Sequence, residues 1–202
     1  ERRALIELRS TRFAEEKEKR EAEAAAEAEA EVDGLWAEAF KVAAETGELN
    51  LSWRKLGFVH EVIYSFAETY GRRLVSLRLI GHELEELPSE VGENCLSLTS
   101  LSLASNRLAA LPDSLCNLTK LVDVNLLRNQ ITRLPDDIGD LVELRNLLIA
   151  SNRLESLPAT FGNLTNLKRV VLECNKLARM PETLSRMTCH TLNLNANELV
   201  AL

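Results

Sequence analysis

Leu121, Val124, Leu126, Asn129 and Ile131 return 23 positions later as Leu144, Leu147, Ile149, Asn152 and Leu154. Self-similarity at so short a fixed period is the feature that most limits what this chain can become. A unit of this length cannot bury its own apolar face, so the units must stack into a solenoid in which each covers its neighbours.

The letters of the repeat have separate physical tasks. Leu144, Leu147 and Ile149 point inward from a short strand, which leaves Asn146 and Leu148 pointing outward. Asn152 stands where the chain turns into the interior, and its amide is placed to satisfy backbone carbonyls of adjacent turns, worth roughly 1–3 kcal/mol each if left unpaired. Leu157 and Pro158 start the return path, where proline suits an extended segment with no ladder to donate to. Phe161 and Leu164 then turn back into the core.

Taken in order, the first repeat carries Leu49, Leu51, Arg54 and Leu56, with Arg54 in place of asparagine. Its return path holds Phe58, Val62, Ile63, Phe66 and Tyr70 at helical spacing, which predicts a helix before Gly71. Leu74, Leu77, Leu79, His82 and Leu84 make the second, and Leu98, Leu101, Leu103, Asn106 and Leu108 the third. The fourth runs from Leu121 to Ile131 and the fifth from Leu144 to Leu154. Leu167, Val170, Leu172, Asn175 and Leu177 form the sixth, and Leu192, Leu194, Asn197 and Leu199 a truncated seventh. Pro88, Pro112, Pro135, Pro158 and Pro181 fall at one site of successive repeats, which pins the register. Leu199 and Leu202 are placed like Leu154 and Leu157 without a following polar cap, so more repeats or another chain are expected beyond them.

Two segments precede the array. Residues 1–33 are dense in Glu, Ala, Arg and Lys without Pro or Gly, a helix composition supported by Glu15–Lys19 and Glu16–Arg20 pairs at i,i+4. Leu5, Leu8 and Phe13 do not continue as heptads, which favours a solvated single helix or spacer over a long coiled coil. Residues 34–47 read as a capping helix, N-capped by Asp33 and ended by Gly47, with Leu35, Trp36, Ala39, Phe40 and Ala43 on one face. Residues 48–202 are the repeats.

An apolar share of 46% with only 4% aromatic residues predicts a core filled by leucine. The net charge of -7 argues against a general binder of nucleic acid or anionic membrane. No apolar run approaches the roughly 20 residues of a membrane span. Neither a secretory h-region nor a cleavage site appears. The four cysteines lack a C-x-x-C pair or terminal clustering; Cys95 and Cys189 take apolar core positions, Cys116 the back of the solenoid and Cys174 its strand-side edge. This pattern predicts a reducing, cytoplasmic compartment. Sequons at Asn50, Asn117 and Asn163 fall where the repeat itself favours those letters.

Leu134-Pro135-Asp136-Asp137-Ile138-Gly139-Asp140-Leu141, joined to the Leu144–Leu154 motif, resembles the intracellular leucine-rich repeat proteins with repeats of about 23 residues, the group that includes Scribble and the Ras-pathway and Ras-group-related scaffolds. Thr46-Gly47-Glu48-Leu49-Asn50-Leu51-Ser52 is similar to the entry turn of cytoplasmic members, and the longer first repeat is similar to those of ribonuclease inhibitor. The resemblance implies an α/β solenoid whose parallel strands line a concave face, and recognition of proteins through that face. It implies no shared chemistry.

The sequence offers none either. His60, His82 and His190 fall at separate structural positions, and no phosphate loop, metal-ligand spacing or nucleophile motif is present, so no enzyme activity, cofactor or metal is expected. The outward strand positions are where function is expected. Leu127, Leu148 and Val171 form an apolar centre edged by Asp123, Arg128, Arg169 and Glu173, an arrangement that suits a protein interface. The expected role is a non-enzymatic interaction module or scaffold. Alternatives are a structural part of a large cytoskeletal assembly such as a ciliary axoneme, or a regulatory subunit that tethers a kinase, phosphatase or GTPase.

Overall fold

The computed structural model describes residues 37–53, 63, 67 and 71–200. The predicted helix over 1–33, the cap residues Leu35 and Trp36, most of the first repeat's return path and Leu202 lie outside the described residues.

Seven three-residue strands form one parallel sheet in sequence order: β1 (Glu48–Asn50), β2 (Ser76–Arg78), β3 (Ser100–Ser102), β4 (Asp123–Asn125), β5 (Asn146–Leu148), β6 (Arg169–Val171) and β7 (Thr191–Asn193). Their middle residues align as Leu49, Leu77, Leu101, Val124, Leu147, Val170 and Leu192, so each inward side chain lies over its equivalent in the next repeat. The first six are buried. A parallel ladder of this kind requires a crossover between strands, and from β2 onward each crossover is a compact return through the back of the solenoid.

The return begins at the proline column. Pro88, Pro112, Pro158 and Pro181 each precede a short helical segment: an α-helical turn at Ser89–Asn94, then 3-10 turns at Asp113–Asn117, Ala159–Asn163 and Glu182–Arg186. The carbonyl of each accepts the third following N–H, as when Phe161 N–H donates to Pro158 O at 3.0 Å. Proline has no amide proton to lose here, and its fixed φ opens the turn. The apolar column behind it is Val91, Leu115, Ile138 and Phe161, all buried. Gly139 and Gly162 follow it because a Cβ there would stand 2.3 Å from the Thr160 and Thr183 carbonyl oxygens of the next repeat.

The asparagine ladder is complete from the third repeat onward. Asn152 donates to Leu126 O (2.9 Å) and Ile149 O (3.1 Å), and its Oδ1 accepts from Ile131 N–H (3.0 Å). Asn106, Asn129, Asn175 and Asn197 repeat the pattern. The amide therefore ties carbonyls of two repeats and also caps an N–H of the preceding one, a third bond beyond the expected carbonyl pairing. His82 takes the donor half of this task by giving its Nε2 proton to Leu51 O at 2.5 Å. Removing the buried amide in Asn152→Ala is expected to cost about 1–3 kcal/mol, whereas Asn146→Ala on the sheet face should cost under about 0.5 kcal/mol. Urea titrations giving the same midpoint for both variants would contradict this assignment.

Residues 37–46 are helical, and the helix ends at Gly47, whose φ of 74° is left-handed. Gly47 N–H donates to Ala43 O at 2.9 Å, and a Cβ on Gly47 would meet Arg73 O at 2.8 Å, so glycine is required both by conformation and by space. Residues 63 and 67 are also helical, and Ile63 and Ala67 are buried. At the other end Cys189, expected in the core, is only half-buried, and Leu192 is 37% exposed. Both lie in the seventh repeat, whose inward side chains are covered less than those of the repeats before it.

Candidate functional site

The outward face of the sheet is built by the first and third residues of each strand and by the residue two places beyond. The chain leaves this face through a left-handed residue in every repeat: Trp53, Gly81, Ser105, Arg128, Ser151, Cys174 and Ala196, with φ between 54° and 76°. Only one of these is glycine. A left-handed L-residue costs about 1–2 kcal/mol, and here the conformation is held by a last rung of the ladder, such as Arg128 N–H to Ala150 O at 3.0 Å and Ser151 N–H to Glu173 O at 2.9 Å. The turn fixes how Arg128, an expected rim residue, enters the edge of the face. Trp53 stands at the same site, 67% exposed, and its indole lies over Gly81, where a Cβ would be 2.3 Å from Trp53 Cε3.

The seven residues singled out from sequence all lie on the strand side. Asp123, Arg128 and Arg169 are exposed, while Leu127, Leu148, Val171 and Glu173 are half-buried. Leu148 and Val171 are register partners on β5 and β6. Their outward neighbours Ala104 and Ala150 are 7% and 8% exposed and add little surface, so the apolar centre is narrow. Asparagines hold the two acids: Asn146 Nδ2 donates to Asp123 Oδ1 at 2.5 Å, and Asn193 Nδ2 donates to Glu173 Oε2 at 3.0 Å.

A depression of about 230 Å3 spans β2 to β5 and is lined by Arg78, Ser100, Ser102, Asp123, Asn125, Asn146 and Leu148, among others. Its cause is local. Both outward side chains of β3 are serine, so the face drops between Arg78 on β2 and Asp123 and Asn125 on β4. Sequence reasoning centred the site on Leu127, Leu148 and Val171 and missed this floor, although two small residues at both outward positions of one strand are visible in the sequence. The Ser102 hydroxyl is buried and makes no hydrogen bond among the described residues. An unsatisfied buried hydroxyl costs roughly 1–3 kcal/mol.

Among the described residues, no three of His, Cys, Asp and Glu are grouped so as to hold a metal ion, and no helix is long and apolar enough to cross a membrane. Burial pushes the Cys95 thiol up to about 12, and burial, aided by Asp137, Asp140 and Asp113, pushes that of Cys116 up to about 11. Both are protonated at neutral pH and unsuited to nucleophilic attack.

Residues 97–154 match the leucine rich repeat family model, and the sheet, its ladder and its returns form a leucine-rich repeat solenoid. The search of curated proteins gave no match. Among solved structures the chain is similar to a plant peptide hormone receptor, RGFR1, in complex with RGF2, at 31% identity and a TM-score of 0.60 over 66% of this chain. It spans 22% of that receptor chain. The BIR2 ectodomain of Arabidopsis thaliana is similar at 28% identity and a TM-score of 0.50, covering 61% of this chain and 67% of that one. The leucine-rich repeat ectodomain of the receptor kinase SOBIR1 from Arabidopsis thaliana shares the fold, at 23% identity and a TM-score of 0.54 over 61% of this chain and 70% of that one. Domains of this class mediate protein–protein interactions.

Proposed function

We propose that the chain is a non-enzymatic interaction module that holds a protein partner on the outward face of its sheet. The observation that carries this reading is the depression over β2–β5 beside the half-buried Leu127, Leu148 and Val171, with Asp123, Arg128, Arg169 and Glu173 around them. An apolar centre inside a charged rim lets a partner desolvate the middle while the rim sets orientation. The likeness to a receptor that forms a complex with RGF2 supports a polypeptide as the occupant. Cys95, Cys116, Cys174 and Cys189 are all free, which supports a reducing, intracellular compartment.

Two single substitutions test the face. Asn125→Arg places a long cation over the depression from β4, whereas Asp140→Arg alters charge on a 3-10 turn behind the sheet. Titration against the purified partner is expected to show affinity reduced on the order of tenfold or more by Asn125→Arg and within about twofold of wild type for Asp140→Arg. The reverse ranking would move the binding site to the back of the solenoid.

A further inference from the structure

The depression has an asymmetric charge pattern. Arg78 lines it from β2, and among the described residues no carboxylate is paired with this guanidinium; the ion pair they do form is Arg107–Glu83, at the edge of the solenoid. Asp123 lines it from β4, with one carboxylate oxygen already taken by Asn146. Leu148 closes it on β5. Arg78 and Leu148 occupy the same outward strand position, three strands apart, and register pairs link them through Ser102 and Asn125.

Spacing converts this pattern into a partner sequence. Three inter-strand steps of about 4.8 Å separate the Arg78 and Leu148 columns by about 14 Å, the length of four residues of extended chain at about 3.4 Å each. Residues i, i+2 and i+4 of an extended segment share one face. We infer that the depression takes an extended segment of a protein partner with an acidic side chain at i over Arg78, a basic side chain at i+2 reaching across Ser100 to Asp123, and an apolar side chain at i+4 over Leu148. A basic side chain is long enough to cover the remaining distance from the i+2 position, and the serines beneath it leave the room. The segment's backbone lies above Ser102, which lines the depression between Arg78 and Asn125. Charge complementarity selects a polypeptide of this pattern over a uniformly acidic or basic one, which would meet repulsion at Asp123 or Arg78.

This inference rests on the sheet face being the partner site, and the experiment separates the two. A display library of random dodecapeptides is panned against the full chain and against Arg78→Glu and Asp123→Lys variants, each shown to be folded by circular dichroism. On the wild type, enriched peptides are expected to carry acid-x-base-x-apolar, in either chain direction. Arg78→Glu should change the first position to basic, and Asp123→Lys the middle one to acidic. A synthetic wild-type-selected peptide should lose on the order of tenfold in affinity to Arg78→Glu, and its Lys-substituted counterpart should recover most of it. Failure to enrich any peptide, or enrichment of the same peptides on all three chains, overturns the inference. If such charge-insensitive peptides still lose binding to Leu148→Asp with Val171→Asp, the sheet face stands as the partner site without this pattern; if they ignore that variant too, both readings fall.

Discussion

Leu148→Asp together with Val171→Asp is expected to weaken partner binding by several kcal/mol while the solenoid stays folded. The two side chains are register partners on adjacent strands, so the variant places two carboxylates directly side by side in the middle of the proposed interface. An apolar partner surface would then have to strip water from both. Because both residues are half-buried, some stability will be lost as well, and a second variant, Leu148→Asn with Val171→Asn, keeps polarity without the mutual repulsion. The asparagine pair should fold close to wild type and still bind poorly. Deleting residues 1–33 should weaken binding less, since that segment offers few apolar anchors and charges are screened beyond about 8 Å at physiological ionic strength. Circular dichroism fixes folding and titration fixes affinity. Loss of binding on deletion, with normal binding by both double variants, would transfer the site to the N-terminal segment and favour a spacer or docking-strut role.

The repeat register was legible because leucine, asparagine and proline each answer a constraint that recurs once per unit. Asn152 cannot be exchanged for a residue lacking both a donor and an acceptor without stranding Ile131 N–H and leaving Leu126 O with the Asn129 amide alone. The left-handed column was not legible. Its conformation is imposed by the rung to the next repeat and by the turn inward, so Trp53, Arg128 and Cys174 occupy it with no shared chemistry for a pattern to reveal. The site fell between these cases. Alternation placed Asp123, Leu148 and Val171 on the correct face, but how deeply each is covered depends on neighbours 23 residues away. Ala104 and Ala150 look like surface in sequence and are buried in the stack. Ser100 and Ser102 look unremarkable and make the floor. His82 shows a third outcome. Its departure from asparagine was plain, yet only the structure shows its ring donating to Leu51 O as an asparagine amide would.

Phe161→Ala is expected to destabilise the repeats by about 3–5 kcal/mol, the largest single-residue effect predicted for this chain. Phe161 is fully buried and, among the described residues, is the one aromatic ring in a column otherwise filled by Val91, Leu115, Ile138 and Leu184. Its ring fills space against the repeats before and after it, and Thr160, Gly162 and Thr183 bring the neighbouring backbone turns close, which limits how far the site can collapse. Energy in a stacked array is shared between each unit and its two interfaces, so the cavity weakens both at once. Leu184→Ala provides the internal comparison. It removes a side chain from the same column, but Leu184 is only half-buried, so its loss should cost less than half as much. Urea unfolding followed by circular dichroism, with equal slopes required before the midpoints are compared, measures the difference. If Phe161→Ala proves no more costly than Leu184→Ala, the back of the solenoid is loosely packed and its aromatic position carries no special share of the stability.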